Sequence, residues 1–289
     1  MNKLIVGGAV AVALMAGPAI AADMPVRPPP LVVDSWTGFY AGVSLGGRFS
    51  DSNWSTTCLS PGAAGAVGCP LNVIAQNGPR FANDNPSGFS SATFRPAGYL
   101  GYNWQIGSWV VGAEGDFAWG KTGNSMKAIP GAEIPGAVNT DTSSVRTTWD
   151  ASARARAGML LGSNILLYAT GGASWIHMEV EAFCGTPRPA GWCAGPAGGA
   201  SNIGRTTSAS ETRIGWTVGA GAEAMLWSNW LTRIEYRYAD YGTFSYTLFP
   251  GVGACGVGCD TINAETTLRT HTVLVGFAYK FGGPFAMGY

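Results

Sequence analysis

The residues that could do chemistry in this chain are mostly charged, and they sit two apart. Glu114 and Asp116 form one such run, Arg154 and Arg156 another, Arg233, Glu235 and Arg237 a third, and Glu223 precedes the last by ten positions. Two-residue spacing puts side chains on one face of a β-strand, so acids and bases on neighbouring strands can meet there as ion pairs. The cysteines also come in near pairs: Cys58 and Cys69, Cys184 and Cys193, Cys255 and Cys259. In an exported chain this arrangement predicts three local disulfides. A metal site at Cys255-Gly-Val-Gly-Cys259 is the weaker reading, because zinc needs four ligands and no histidine lies nearby. The two histidines, His177 and His271, stand in no arrangement of serine, histidine and carboxylate. The Gly219-Ala-Gly221 stretch lies within strand alternation and opens no helix, so it does not read as a dinucleotide loop. No catalytic residue, metal ligand or cofactor site is expected, and the chain is read as a non-enzyme.

The composition narrows what must position these groups. Charged residues make up 12% of the 289, while glycine numbers 43 and tryptophan 11. Mean hydropathy is only +0.13, too low for a bundle of membrane helices. Sparse charge with abundant Gly and Trp suits strands that show lipid one face and polar groups the other. The zero net charge gives no reason to expect a nucleic-acid partner. At the N-terminus, Lys3, the apolar run from Leu4 to Ala16, Gly17-Pro18 and Ala19-Ile20-Ala21 predict a signal peptide over residues 1–22. A Pro-rich leader follows over 23–35, then the folded body over 36–281, then an extension over 282–289.

Within the body the signal has period two. Strands are expected at 36–49, 92–106, 109–120, 147–161, 165–180, 211–226, 230–246 and 265–281. In the fourth, Trp149, Ala151, Ala153, Ala155, Ala157 and Met159 alternate with Asp150, Ser152, Arg154, Arg156 and Gly158. The fifth opens on Ile165-Leu166-Leu167, which leaves its facing open. Tight turns at Gly107-Ser108, 162–164 and 227–229 alternate with long connections at 49–90, 121–146, 181–210 and 247–264. Short turns at one end and long loops at the other predict an eight-stranded antiparallel up-and-down transmembrane β-barrel, with periplasmic turns, extracellular loops and every cysteine in a long loop.

The tryptophans mark the membrane band. Trp36, Trp104, Trp109, Trp227 and Trp230 fall at the short-turn end, while Trp119, Trp149, Trp175 and Trp216 fall toward the other. Ten residues of strand rise roughly 33 Å, which a tilt of about 40° reduces to roughly 25 Å, the height of the apolar band. These nine are therefore expected in two outward aromatic girdles. Levelling Trp119 with Trp149 sets Glu114 opposite Arg154, and pairing Leu226 with Trp230 sets Glu223 opposite Arg233. Eight strands leave a lumen that side chains can fill, so an ion-paired plug is expected, with a selective water-filled pore as the alternative.

Three stretches resemble a known family, the small outer-membrane barrels of alphaproteobacteria related to opacity-type adhesins. They are Trp36-Thr37-Gly38-Phe39-Tyr40-Ala41-Gly42, Arg233-Ile234-Glu235-Tyr236-Arg237-Tyr238, and His271 through Phe281. The resemblance implies a surface protein of the Gram-negative outer membrane, embedded in its lipid. It also implies a terminal aromatic read by the barrel-assembly machinery, for which Phe281 and Tyr289 are the candidates. The function expected from it is structural, with stapled loops displayed to host or other cell-surface ligands. A narrow porin-like channel for small solutes and a haemin- or ligand-binding surface protein are the alternatives.

Overall fold

A computed structural model describes residues 32–33, 35–60, 86–131, 140–185, 203–227, 229–249, 261–281 and 285–286. The chain divides into two units. In the smaller, β1 (Val32–Val33) pairs antiparallel with β11 (Phe285–Ala286), so residues expected in the leader and in the C-terminal extension meet each other. The expected signal peptide lies outside the described residues.

The larger unit holds β2 (Gly38–Ser60), β3 (Ser87–Phe94), β4 (Ala97–Ile106), β5 (Trp109–Met126), β6 (Thr142–Leu161), β7 (Ile165–Phe183), β8 (Thr206–Trp227), β9 (Trp230–Leu248) and β10 (Thr261–Phe281). These form one antiparallel sheet in which β10 also pairs with β2, so the sheet closes into a ring. Around the ring each strand lies beside its sequence neighbour, as short turns require. The sequence reading counted one strand over 92–106. The structure divides it at Arg95-Pro96 into β3 and β4, which pair with successive parts of β2. Proline has no N–H to give the ladder, which is why the break falls there.

In the lower part of the ring, next to the tight turns, the apolar face looks out. Leu100, Trp104, Trp109, Phe117, Trp119, Val218 and Ile234 are exposed, and the charged residues lie inside. Lipid replaces water as the solvent of this face, so arginine at Ala153 or Val218, if these lie near the bilayer midplane, should cost about 2–4 kcal/mol. Urea titration of the refolded barrel in vesicles measures this; unchanged stability would mean that the faces are inverted.

The strands do not stop where that pattern stops. Much of the sequence expected as long loops is strand: β2 runs on to Ser60, β6 begins at Thr142, β7 reaches Phe183 and β8 starts at Thr206. Alternation continues there with its sense reversed. In β7, Leu166, Tyr168, Thr170 and Ser174 point inward beside an apolar exterior; beyond Trp175, Ile176, Met178, Val180 and Ala182 point inward and Glu179 and Glu181 outward. The strand expected over 165–180 therefore spans both patterns, and no single facing describes it. Above the switch water is outside again, so the apolar side chains turn in.

The upper part is also not a closed ring. The ladder between β8 and β9 ends at Trp216 and Asp240, and among the described residues no ladder joins β3 to β5. Two four-stranded sheets result, β5-β6-β7-β8 and β3-β2-β10-β9. Trp54, Phe89, Phe244, Leu248, Ile262 and Leu268 of the second pack with Val145, Ile176, Met178 and Val180 of the first, and with Ile129 just beyond β5, around a single buried core. The barrel thus passes upward into a β-sandwich. Both seams start at irregularities that bend strands: Pro96 with a bulge past Trp119 on one side, and a bulge at Tyr241-Gly242 on the other. Gly242 has φ of 69°, a left-handed conformation that favours glycine.

Candidate functional site

The strands of the lower ring aim a continuous set of charges into the lumen. The register places Trp119 opposite Trp149, and with them Glu114 opposite Arg154. The Arg154 guanidinium donates to Glu114 Oε1 at 2.5 Å and to Glu235 Oε1 at 2.6 Å. Glu223 stands opposite Arg233, as expected, although the turn pairs Trp227 rather than Leu226 with Trp230. Side-chain contacts nevertheless cross the barrel: Glu223 accepts from Arg156 at 2.7 Å, and Arg233 donates to Glu114. Asp116 accepts from Arg95 at 2.6 Å and from Arg237 at 3.0 Å, and Arg237 also reaches Glu235 at 3.0 Å.

Three charges missing from the expected set extend the network outward. Asp150 accepts from both Arg95 and Arg48, and Arg48 also donates to Thr147 Oγ1 at 2.7 Å. Asp150 and Arg95 have the inward parity of their strands, so alternation alone gave the signal; Arg48 lies one step beyond the alternation read in the first strand. The result is one linked chain from Arg48 through Asp150, Arg95, Asp116, Arg237, Glu235, Arg154 and Glu114 to Arg233, Arg156 and Glu223. None of these residues is more than 7% exposed.

Tyrosines, absent from the expected set, fill the remaining positions. Tyr40 donates to Glu114 at 2.9 Å and accepts from Arg156 at 3.0 Å, and Tyr168 donates to Glu235 at 2.8 Å. The Arg233 guanidinium lies 3.6 Å from the Tyr99 ring centroid, and that of Arg156 lies 4.2 Å from Tyr168. Buried N–H groups without a partner include the Nε of Arg48, Arg154, Arg156 and Arg233. Stoichiometry explains them: a guanidinium carries five donors and a carboxylate about four acceptor sites, so six arginines outnumber five acids.

Apolar layers bound the network above and below. Above is the sandwich core. Below, at the tight-turn end, Trp36 packs with Val110, Leu166, Met225, Leu231 and Ala278. This corrects the placement of Trp36 in a girdle. It is fully buried inside the mouth, its indole N–H donating to Ser163 O at 3.2 Å and its backbone N–H to Gln105 Oε1 at 2.8 Å. Trp36 precedes the first ladder pair, so strand parity gives no direction for it. Lys280 closes this end, donating to Ser35 O.

Outside, Trp104, Trp109, Trp227 and Trp230 are exposed at the lower end and Trp119 and Trp216 at the upper, while Trp149 and Trp175 are half-buried. Phe117 stacks on Trp149 at 5.8 Å, and Trp149 on His177 at 5.9 Å. The cysteines are not all in loops. Cys58 is a β2 residue whose backbone lies opposite Asn263, and Cys184 directly follows β7, its N–H donating to Arg205 O at 2.9 Å. Cys69, Cys193, Cys255 and Cys259 lie outside the described residues. Among the described residues no group of three or more His, Cys, Asp or Glu could hold a metal ion.

A closed antiparallel ring with lipid-facing tryptophans and internal charges leaves the question of kinship. The family model of the outer membrane protein beta-barrel domain matches residues 8–281. The chain belongs to this family. It is an outer-membrane protein, and its relatives are of the same kind. The 31 kDa outer-membrane immunogenic protein of Brucella melitensis is 29% identical over 287 residues, covering 93% of this chain and 96% of the relative. The 22 kDa outer membrane protein of Rhizobium leguminosarum is 31% identical over 153 residues, 53% of this chain and 55% of the relative. Among solved structures, the outer membrane protein OprG of Pseudomonas aeruginosa is 12% identical with a TM-score of 0.47, covering 87% of this chain and all of its own. Neisserial surface protein A is 13% identical with a TM-score of 0.36, covering 85% and 98%.

Proposed function

We propose that this outer-membrane barrel is a non-conducting, non-catalytic surface protein whose work is done by the parts that stand above the lipid. The observation that carries this reading is the linked charge network in the lumen, closed over by apolar layers at both ends. An ion entering would have to displace paired, desolvated charges, and breaking a buried pair is costly. What is left to act is the sandwich and the connections beyond it, presented to ligands on host or other cells. Phe281, the exposed aromatic that ends β10, and Tyr289 are the two candidates for the terminal residue that the assembly machinery reads.

Planar-bilayer recording on the refolded protein tests the reading. Silence in symmetrical salt is expected. Steady single-channel currents whose ion preference shifts in Arg154→Ala or Arg233→Ala would replace it with the narrow-channel reading.

The same reading includes three local disulfides that stiffen the outer connections. Export to an oxidising compartment and the near-pair spacing support them, as does the full burial of Cys184. Peptide mapping without reductant should recover Cys58 with Cys69, Cys184 with Cys193, and Cys255 with Cys259. Crosslinks between different pairs would instead tie the outer connections into one cap.

A further inference from the structure

Among the described residues, the seam between β8 and β9 leaves two strand edges without a ladder partner above the membrane. Below Trp216 and Asp240 the strands are neighbours in one ladder; above, among the described residues, β8 from Thr206 to Gly215 pairs only with β7, and β9 from Thr243 to Leu248 only with β10. The bulge that parts them is held in place. Asp240 Oδ1 accepts the Gly242 N–H at 2.8 Å, and Asp240 Oδ2 accepts from Arg269 Nε at 3.1 Å. One side chain bridges the gap: Arg213 donates to Thr243 O at 2.7 Å and lies 5.5 Å from the Phe244 ring centroid.

The character of the upper β8 strand says what could enter. Its residues, Thr206-Thr207-Ser208-Ala209-Ser210-Glu211-Thr212, are polar on both faces, and every one is exposed or half-exposed. Such a strand offers no surface to lipid or to an apolar partner. Glu211 beside Arg213, and Asp240 beside Arg269, balance the charge, so the seam attracts neither polyanion nor polycation. It does offer, along each edge, backbone N–H and C=O groups that no ladder among the described residues takes up. Natural sheets usually protect free edges with charged side chains, lysine above all, with proline, with a bulge or with a covering element. Here the bulge lies at the foot of the β9 edge, and the charge of Glu211 is paired with Arg213. Between Thr206 and Thr212 neither lysine nor proline occurs.

We infer that an extended polypeptide segment of another protein inserts into this seam, pairing antiparallel with β9 and continuing the β8–β9 register upward. Only a peptide backbone presents alternating donors and acceptors at strand spacing, so β-strand addition is the binding mode that fits. Extending the ladder by its own sum places a position equivalent to 213 opposite Thr243, where the Arg213 bridge now lies. That side chain must swing out as the guest enters. The inference rests on reading the upper sandwich as the recognition surface, but bilayer recording judges the lumen and peptide binding judges the seam, so the two can fail separately.

The probe is a fluorescein-labelled peptide of sequence Thr-Thr-Ser-Ala-Ser-Glu-Thr-Arg, which copies residues 206–213, the part of β8 that would face β9 if their ladder continued upward. Its anisotropy is followed against the folded full-length barrel in detergent micelles, with slower migration after boiling as proof of folding. Saturable binding is expected. Deleting Gly242 removes the bulge and lets β8 and β9 zip together, so binding should weaken by at least about tenfold, the equivalent of one or two ladder hydrogen bonds. Arg213→Ala removes the bridge, together with the exposed pair to Glu211, and should tighten binding and speed association; it stands as the second variant if the deletion does not fold. A control peptide with proline at the third and fifth positions cannot form the ladder and should not bind. Equal binding of the proline peptide, absence of saturable binding to the wild type, or weaker binding to Arg213→Ala would each overturn the inference.

Discussion

Glu114→Ala is expected to destabilise the folded barrel by about 3–5 kcal/mol, the usual consequence of leaving buried charges unmatched. Glu114 accepts from Arg154, Arg233 and Tyr40, so its loss takes from Arg233 its one close acid and leaves Arg154 to Glu235. Arg154→Ala should cost less. Without it, Glu114 still has Arg233 and Tyr40, and Glu235 still has Arg237 and Tyr168. Combining Glu114→Gln with Arg154→Met should recover only part of the loss, because Arg233 would still lack its main acid. Adding Arg233→Met should recover most of the remainder. Urea titrations in lipid vesicles, followed by tryptophan fluorescence, give the four free energies. Strictly additive values would mean that the groups are independent, and the lumen would then not be one network.

How much of this could be read from the chain depends on which rule each residue obeys. Residues between the girdles follow one rule, apolar outward and polar inward, and there the register came out of the tryptophans alone: Trp119 levelled with Trp149 placed Glu114 opposite Arg154. Which acid each arginine contacts was not legible, because guanidinium groups reach across a narrow lumen to strands they do not pair with. Arg156 meets Glu223 and Arg233 meets Glu114 in this way, contacts that no ladder position predicts. The upper strands escaped notice for a different reason. Ile176, Met178, Val180 and Ala182 alternate with polar residues as regularly as the lower strand does, but in the opposite sense, and one strand carries both patterns across Trp175. A reading that fixes the apolar face once per strand cannot follow both patterns, which is why the strand over 165–180 has no assigned facing and others are expected to end short of their upper residues. Trp36 fell outside either rule, since it precedes the first paired residue and its direction is set by where the incoming chain folds back.

Trp36→Ala provides the clearest separation between a tryptophan inside the barrel and one facing lipid. Its side chain is completely buried against Val110, Leu166, Met225 and Leu231, and its indole N–H is satisfied by Ser163 O. Truncation would open a cavity that rigid ladder backbones cannot close, so a loss of about 3–5 kcal/mol is expected. Trp119, by contrast, is 68% exposed on the lipid side, where lipid can flow into the space a smaller residue leaves. Trp119→Ala should cost well under half as much. The indole of Trp36 also lies between the lower mouth and the charge network, so its removal exposes Tyr40, Tyr168 and their acids to water from below. Paired urea titrations of the two variants in vesicles measure the difference. Comparable losses would return Trp36 to the girdle and leave the lower mouth of the barrel without its stopper.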